Sequence, residues 1–209
     1  MYDKDLIFER YPELAQCRED MEKALQLLLD CVRGGRKLLL CGNGGSASDC
    51  DHIAGECLKG FLKKRPLSPQ EQEAWNGYGP EGELAGKLLQ NGFCAINLPG
   101  FAAPISAVCN DTDPQLIYAQ LVWAMGQPGD VLIGLSTSGG ALNVRQAARA
   151  AKLKGMQVIS LTGKKESPLS ALADAAIRVP VQETYMVQEL HLPVYHWLCA
   201  AVEDALYAE

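Results

Sequence analysis

The sequence lacks the features that mark several large classes of protein. It contains no apolar run of 18 residues, which argues against a membrane-spanning helix. Its N-terminus, MYDKDLIFER, is too polar for a secretory signal peptide. The net charge is −6 and no basic run exceeds KKR at 63–65, so no nucleic-acid surface is indicated. We therefore expect a cytoplasmic protein with neither membrane nor nucleic acid among its partners.

Metal-binding and disulfide cysteine patterns are also missing. The eight cysteines are dispersed among apolar neighbours without C-x-x-C spacing, as is typical of buried small side chains in a reducing compartment. There is no internal repeat and no low-complexity tract. A chain of 209 residues, 48% of them hydrophobic, can form a single core. The sequence therefore predicts one domain over residues 1–209.

Predicted helices and strands alternate along the chain, which indicates an α/β fold. An amphipathic helix over 9–33 ends at Gly34-Gly35 and forms an N-terminal helical arm (1–35), which either covers the core or contacts another subunit. Strands are predicted over 38–41, 93–98, 131–136, 156–163 and 175–181, and helices after the first strand and over 114–126, 141–154, 167–174 and 184–207. Such alternation requires a parallel sheet covered on both faces, with ligands bound at the carboxyl ends of its strands.

Two segments are less regular. Residues 59–91 contain three prolines, several glycines and mixed charge, which is compatible with a functional lid, a disordered insertion or a small helical excursion. Residues 104–113, PISAVCNDTD, are interpreted as an apolar segment that runs into a polar turn.

The stretch RKLLLCGNGGSASDCDHIAGE, residues 36–56, organises the predicted site. A buried strand, a glycine turn and a helix N-terminus form an anion site, and Ser46 is predicted to cap that helix. His52 and Glu56 are four residues apart and share a helix face. At ~1.5 Å per residue they lie about 10 Å along the helix from the glycine turn, which suits a small phosphorylated substrate.

A second glycine-rich strand end follows in GLSTSGGALNV, residues 134–144. Ser136, Thr137 and Ser138 lie between a predicted buried strand and a helix, where hydroxyl and backbone N–H groups can surround a phosphate. No lysine accompanies them, so the segment is not a nucleotide P-loop.

The last predicted helix holds two of the three histidines of the chain. Its candidate side chains are Gln188, Glu189, His191 and His196, and Pro193 kinks the axis, so helical periodicity does not decide which of them face the site. Together with His52 and Glu56 they form either a site of the kind that binds Zn²⁺ or a metal-free acid/base pair.

A dinucleotide-binding fold is the nearest rival for the opening motif. Gly42-x-Gly44-x-x-Ala47 matches G-x-G-x-x-A. That fingerprint expects an acidic residue ~20 positions later at the end of the next strand, and here the position falls in the irregular segment 59–91. This alternative is therefore disfavoured.

Four segments together resemble the SIS (sugar isomerase) domain family, with the phosphoheptose isomerases as the closest match. They are CGNGGSASDCDHIAGE (41–56), CND (109–111), PGDVLIGLSTSG (128–139) and QELHLPVYH (188–196). The resemblance implies a three-layer fold with a five-stranded parallel sheet flanked by helices and a long C-terminal helix. It further implies a homotetramer, or a homodimer, with sites at subunit boundaries.

The resemblance also implies roles for individual residues. Glu56 and His196 would be the catalytic acid/base pair, and a zinc ion would be held by His52, Glu56, Gln188 and His196. Gln188 would also contact the substrate. The remaining substrate and phosphate contacts would come from Asn43, Gly44, Gly45, Ser46, Asn110, Asp111, Ser136, Thr137 and Ser138.

The activity implied is aldose–ketose isomerisation, which is an intramolecular oxidoreduction, through a cis-enediol. Sedoheptulose 7-phosphate would be converted to D-glycero-D-manno-heptose 7-phosphate. The family usually reads S-T-S-G-N-S where this chain has Gly140 and Ala141 in place of the last Asn and Ser. The loss of one hydrogen bond to a charged phosphate is worth about 1.5–3 kcal/mol, which leaves a different phosphosugar open as substrate.

Two non-catalytic alternatives come from the same family. Members that bind the bacterial replication initiator typically lack the Glu and the last His of the catalytic set, and this chain has both. Sugar-phosphate-sensing members normally carry a DNA-binding region, and none is found here. The residues therefore favour an enzyme.

Overall fold

A computed structural model describes residues 2–207; Met1, Ala208 and Glu209 lie outside the described residues. No helix within that range is long and apolar enough to cross a membrane. The strands and helices occur in the order α1 (Leu6–Arg10), α2 (Arg18–Arg33), β1 (Leu38–Cys41), α3 (Gly45–Leu58), α4 (Pro69–Asn76), α5 (Gly79–Leu88), β2 (Ala95–Asn97), α6 (Ala102–Asp111), α7 (Ile117–Met125), β3 (Val131–Leu135), α8 (Leu142–Leu153), β4 (Gln157–Thr162), β5 (Ala175–Arg178) and α9 (Thr184–Leu206).

The five described strands form one parallel sheet in the order β2-β1-β3-β4-β5. In register, Leu38 pairs with both Ala95 and Val131, and Ile159 pairs with Ala175. The central strands β1 and β3 are buried along their whole length, as expected for a sheet covered on both faces. All strands point the same way, so the segments after β1, β3 and β4 lie at one edge, the carboxyl edge, which positions the site.

Two hydrophobic clusters cover the two faces of the sheet. The larger packs α2, α3 and α9 against the alternate strand residues Leu38 and Leu40, and the smaller packs α7 and α8 against Leu39 and Cys41. Side chains alternate between the faces of a strand, so a run of four apolar residues serves both layers. This is the predicted three-layer α/β fold.

The predicted arm helix covers the core. Leu14, Met21, Ala24 and Leu28 are buried in the larger cluster. The arm is divided, since α1 is followed by a 3-10 helix over Pro12–Cys17 before α2 begins at Arg18. Of the two alternatives for residues 9–33, a core-covering helix is the one seen within the chain.

The irregular segment 59–91 is a helical excursion, the third of the alternatives left open. Ser68 and Glu71 form a complete capping box at the start of α4, which explains where that helix begins. Helix α5 packs closely on α4 because Gly82 has no side chain; a Cβ there would overlap the Trp75 carbonyl. The hairpin is joined to the domain where Pro66 forms a β-bridge with Gln90.

Several sequence predictions are wrong in detail. Residues 104–111 are helical, because α6 continues to Asp111, and the predicted polar turn is confined to Thr112 and Asp113. The predicted helix over 114–126 begins with a 3-10 turn, Pro114–Leu116, and in place of the predicted helix over 167–174 there is only a 3-10 turn, Ser170–Leu172. The other strand and helix predictions are confirmed to within a few residues.

Candidate active site

The first part of the site is the turn between β1 and α3. Helix α3 begins at Gly45, and its N-cap is Gly44, whose φ of 56° is a conformation that glycine adopts readily. The predicted cap by Ser46 is wrong, because the helix starts before it and the N-cap makes no side-chain bond. Ser46 is buried, whereas Asn43 and Gly45 are exposed at the carboxyl edge. The N–H groups of Ser46 and Ala47 bond within the turn to the carbonyls of Asn43 and Gly44.

Three predicted catalytic or metal-binding side chains meet between α3 and α9. The Nε2 atom of His52 lies 3.2 Å from Glu56 Oε1 and 3.4 Å from His196 Nε2. The shared face of α3 accounts for the first contact, and packing of α3 on α9 for the second. Burial lowers the pKa of His196, and the neighbouring His52 lowers it further. A protonated His196 therefore gives up its proton more readily than a free imidazole does.

Tyr195 and Asp49 orient His52, a role the sequence reasoning missed. The Tyr195 hydroxyl lies 3.3 Å from Asp49 Oδ1 and 3.0 Å from His52 Nδ1. A carboxylate only accepts, so the hydroxyl donates to Asp49 and accepts from Nδ1–H of His52. This arrangement leaves a lone pair on His52 Nε2, the atom that faces Glu56 and His196.

The side chains at this point, two imidazoles and a carboxylate, are of types that zinc binds. Nitrogen and carboxylate oxygen ligands at about 2.0–2.1 Å in a tetrahedron stand ~3.3 Å apart, close to the two distances around His52 Nε2. Adjacent electron-rich atoms also require a proton or a cation between them. As it stands, however, the part of the chain from 2 to 207 contains no group of three or more His, Cys, Asp or Glu side chains that could hold a metal ion.

The polar residues of α9 differ in how deeply they are buried. Gln188 is half-buried, and its amide lies against Gly45 so closely that a Cβ on the glycine would overlap it. Glu189 is exposed, and His191 is fully buried in the core. Gln188 thus lies beside the glycine turn, while its role in binding remains a prediction.

An amide pair connects the two glycine-rich strand ends. Asn43 and Asn143 exchange hydrogen bonds of 2.9 Å, and the Tyr118 hydroxyl donates to the Gly42 carbonyl at 2.7 Å. Asn143 lies in the first turn of α8 and was not among the predicted site residues. The pair fixes the spacing between the turn after β1 and the loop after β3.

The hydroxyl residues after β3 form the second wall. Ser136 is buried, Thr137 is half-buried and Ser138 is exposed. They do not stand directly at a helix N-terminus as predicted, because α8 begins only at Leu142. Gly139, with φ of 64°, lets the chain turn back before that helix.

Two lysines missed by the sequence reasoning share a cleft with these hydroxyls. The cleft, of about 200 Å³, is lined by Thr137, Ser138, Gly163, Lys164, Lys165 and Gln182. The lysines follow β4, the strand beside β3, so the parallel sheet brings them next to the hydroxyl loop. The absence of a lysine within 134–144 therefore does not leave that loop without positive charge. Neighbouring strand order is the signal that could have revealed them.

Asn110 and Asp111 are exposed at the end of α6. Asn110 Nδ2 donates to Asp111 Oδ1 at 2.8 Å. These two side chains are thus bonded to each other. Their predicted contact with the substrate chain remains a prediction.

Comparisons with known proteins agree with this architecture. Two models described as SIS domain match residues 104–198 and 9–77. The phosphoheptose isomerase of Shewanella denitrificans is 34% identical over 194 residues, which is 91% of this chain and 86% of the relative. Among solved structures, a phosphoheptose isomerase from Francisella tularensis has a TM-score of 0.73 at 27% identity, covering 98% of this chain and all of the other. Phosphoheptose isomerase GmhA from Neisseria gonorrhoeae has a TM-score of 0.71 at 27% identity, covering 96% and 98%.

The five-stranded parallel sheet and its two polar strand ends are therefore those of a SIS domain. From its sequence identity to these relatives and the share of each chain covered, the chain belongs to the phosphoheptose isomerase family. The predicted resemblance, fold class and membership of a family of isomerases are confirmed. The non-catalytic alternatives lose their support.

Proposed function

We propose that the protein converts sedoheptulose 7-phosphate into D-glycero-D-manno-heptose 7-phosphate. The observation that carries this proposal is the convergence of Glu56 and His196 on His52, at 3.2 Å and 3.4 Å, between α3 and α9 of a phosphoheptose isomerase fold. Aldose–ketose isomerisation needs one base for carbon and one proton carrier for oxygen within reach of two adjacent carbons. A carboxylate and an imidazole on neighbouring helices meet that requirement.

The proposed reaction balances in two steps, each with two proton transfers. Glu56 removes a proton from C1 of the ketose while His196 supplies one to the C2 oxygen, which gives the cis-enediol. Glu56 then returns its proton to C2, and the C1 hydroxyl gives its proton back to His196 as the aldehyde forms. His196 therefore starts and ends the cycle protonated, and its lowered pKa makes the protonated ring a stronger acid for the first oxygen step.

The phosphate of the substrate is proposed to bind the hydroxyl loop, Ser136–Ser138. Lys164 and Lys165 line the same cleft and supply the positive charge that the loop lacks. Asn43, Gly44, Gly45 and Ser46 would form the opposite wall, with Gln188, Asn110 and Asp111 as further substrate contacts. The charge of the lysines offsets the hydroxyl lost where Ala141 replaces the usual serine.

A zinc ion is proposed at the same point. His52, Glu56, Gln188 and His196 would hold it, and it would supply Lewis-acid polarisation of the substrate carbonyl. The lone pair on His52 Nε2, fixed by Tyr195, supports this assignment. If carefully purified protein contains no metal by elemental analysis and chelators leave its activity intact, the zinc assignment is wrong.

The assembly and location of the protein are also proposals. We propose that residues 1–209 act as a single SIS domain in the cytoplasm and assemble as a homotetramer, or a homodimer, with sites at subunit boundaries. Large exposed apolar side chains such as Trp123 and Leu88 support association. Light scattering coupled to gel filtration should give the mass of an oligomer; a monomer would contradict the proposal.

The decisive experiment is a panel of C5–C7 ketose and aldose phosphates tested for interconversion. Sedoheptulose 7-phosphate should give the highest kcat/KM, and a higher value for a shorter sugar would favour the alternative substrate. Glu56→Gln and His196→Ala should each abolish turnover, whereas Glu189→Gln, on the exposed side of α9, should retain it. Turnover retained by either catalytic variant would refute the assigned roles.

A further inference from the structure

We propose that Arg65 and Glu203 are a positioning pair for the active site. They tie the segment 59–65, which leads into the helical hairpin, to the two helices that carry the site. The part of this inference that concerns catalysis rests on the proposed function. Its structural part concerns the placement of Glu56 and His196 and stands independently.

Glu203 is the fixed point of the arrangement. It lies near the end of α9 and is 1% exposed. Its carboxylate accepts from the backbone N–H groups of Phe61, Leu62 and Lys63 at 2.7–3.0 Å and from Arg65 Nε at 2.8 Å. All four donors belong to one short segment, which therefore cannot move without breaking charge-assisted hydrogen bonds.

Arg65 connects that segment to the end of α3. It is also 1% exposed. Its Nη2 donates to the carbonyl of Glu56 at 3.0 Å, and its Nη1 to the carbonyl of Cys57 at 2.8 Å. These carbonyls belong to the last turn of the helix, whose final four carbonyls have no partner within it. The guanidinium thus replaces a helix cap at the very residue proposed as the catalytic base.

Phe61 carries the effect to the other helix. Its ring lies 5.5 Å from the His196 ring, tilted by 38°, and its N–H is one of those held by Glu203. The ring therefore forms a wall of the site behind His196. One buried ion pair consequently holds the end of α3 that carries Glu56. Through Phe61, it also holds the aromatic ring that packs against His196.

Asp130 provides a matched control. It is equally buried and accepts from the backbone N–H groups of Lys37 and Gln127 and from the Lys37 ammonium. These contacts lie at the amino ends of β1 and β3, and none of them involves α3, α9 or the segment 59–65. Asp130→Asn should destabilise the fold by the same mechanism without moving the site.

Nuclear magnetic resonance of the histidine rings tests the placement without using the reaction. The chain has three histidines, so their ring signals can be assigned by substitution, and buried His191 serves as an internal reference. Phe61→Leu removes the aromatic ring beside His196, so this variant shows the position of the His196 signal without the ring-current shift. Glu203→Gln and Arg65→Lys should move the His52 and His196 signals, with the His196 signal moving towards its position in Phe61→Leu. Asp130→Asn should leave both signals unchanged.

Kinetics test the consequence for catalysis. Glu203→Gln and Arg65→Lys should lower kcat by about 10- to 100-fold with KM changed less than threefold, because a displaced catalytic group slows the reaction more than it weakens binding. Asp130→Asn should keep kcat within twofold. All variants are compared at temperatures where circular dichroism shows them folded.

The outcomes separate the two proposals. Unchanged His52 and His196 signals, or kcat values that fall equally in Asp130→Asn, would overturn the positioning role. If Glu203→Gln does not fold, Arg65→Lys decides, since it keeps the charge but not the fork that reaches two carbonyls. Wild-type protein inactive on every phosphosugar would refute the proposed function, while the ring signals would still show whether the pair positions the helices.

Discussion

The burial of His191 predicts a specific loss of stability in mild acid. The side chain is fully buried in α9, and neither ring nitrogen finds a hydrogen-bond partner within ordinary limits among residues 2–207. Burial lowers the pKa of His191 from 6.5 to about 4, and the nearby Thr162 backbone offsets only part of that effect. The folded protein therefore binds this proton less readily than the unfolded chain does.

The sign and size of the effect follow from proton linkage. A depressed pKa in the folded state contributes stability above pH 6.5, which is lost as the pH falls towards 4, because the unfolded chain takes up the proton first. One pKa unit corresponds to about 1.4 kcal/mol, so ~2 kcal/mol of the free energy of unfolding should be lost by pH 5. A typical domain has only about 5–15 kcal/mol in total.

Urea unfolding at a series of pH values measures this loss. His191→Leu removes the titrating group and two unpaired polar atoms while roughly keeping the volume, so its stability at pH 7 should equal or exceed that of the wild type. Its free energy of unfolding should fall ~2 kcal/mol less between pH 7 and pH 5. Carboxylates titrate alike in both proteins and cancel in the comparison. Parallel curves for the two proteins would refute the reasoning.

Two further substitutions test the walls of the site. Gly45→Ala should leave the melting temperature unchanged or slightly raised, since alanine favours a helix, but should lower kcat/KM because the new Cβ displaces the Gln188 amide; unchanged kinetics would show that this amide does not serve the site. The double substitution Lys164→Gln, Lys165→Gln should raise KM for the phosphosugar at least tenfold and weaken inhibition by inorganic phosphate, with kcat nearly constant; an unaltered KM would exclude the lysines from phosphate binding.

Much of the fold could be predicted because local pattern and global topology agree. Short buried runs such as 131–135 allow few alternatives to a central parallel strand. The predicted spacing of His52 and Glu56 also holds, because both lie on one uninterrupted helix. Where the relevant contact is within one element, the sequence contains the information.

The contacts between elements could not be predicted in the same way. Tyr195, Asp49 and Asn143 act through partners far away in the chain, at 143 residues for Tyr195 and His52. The two lysines after β4 become relevant only because β4 lies beside β3. The Ser46 cap failed for a different reason, since a glycine with positive φ can begin a helix without any side-chain cap.

The bridge between Pro66 and Gln90 gives the helical hairpin a closed base. The chain leaves and re-enters the domain at neighbouring points, where Arg65 N–H binds Gln90 Oε1 and Asn91 N–H binds the Arg65 carbonyl. Closure entropy grows only slowly with the number of residues in such a loop. Insertions, deletions and substitutions within residues 67–89 should therefore change the free energy of folding little. The hairpin is a site where related proteins can diversify while the chemistry beneath it stays unchanged.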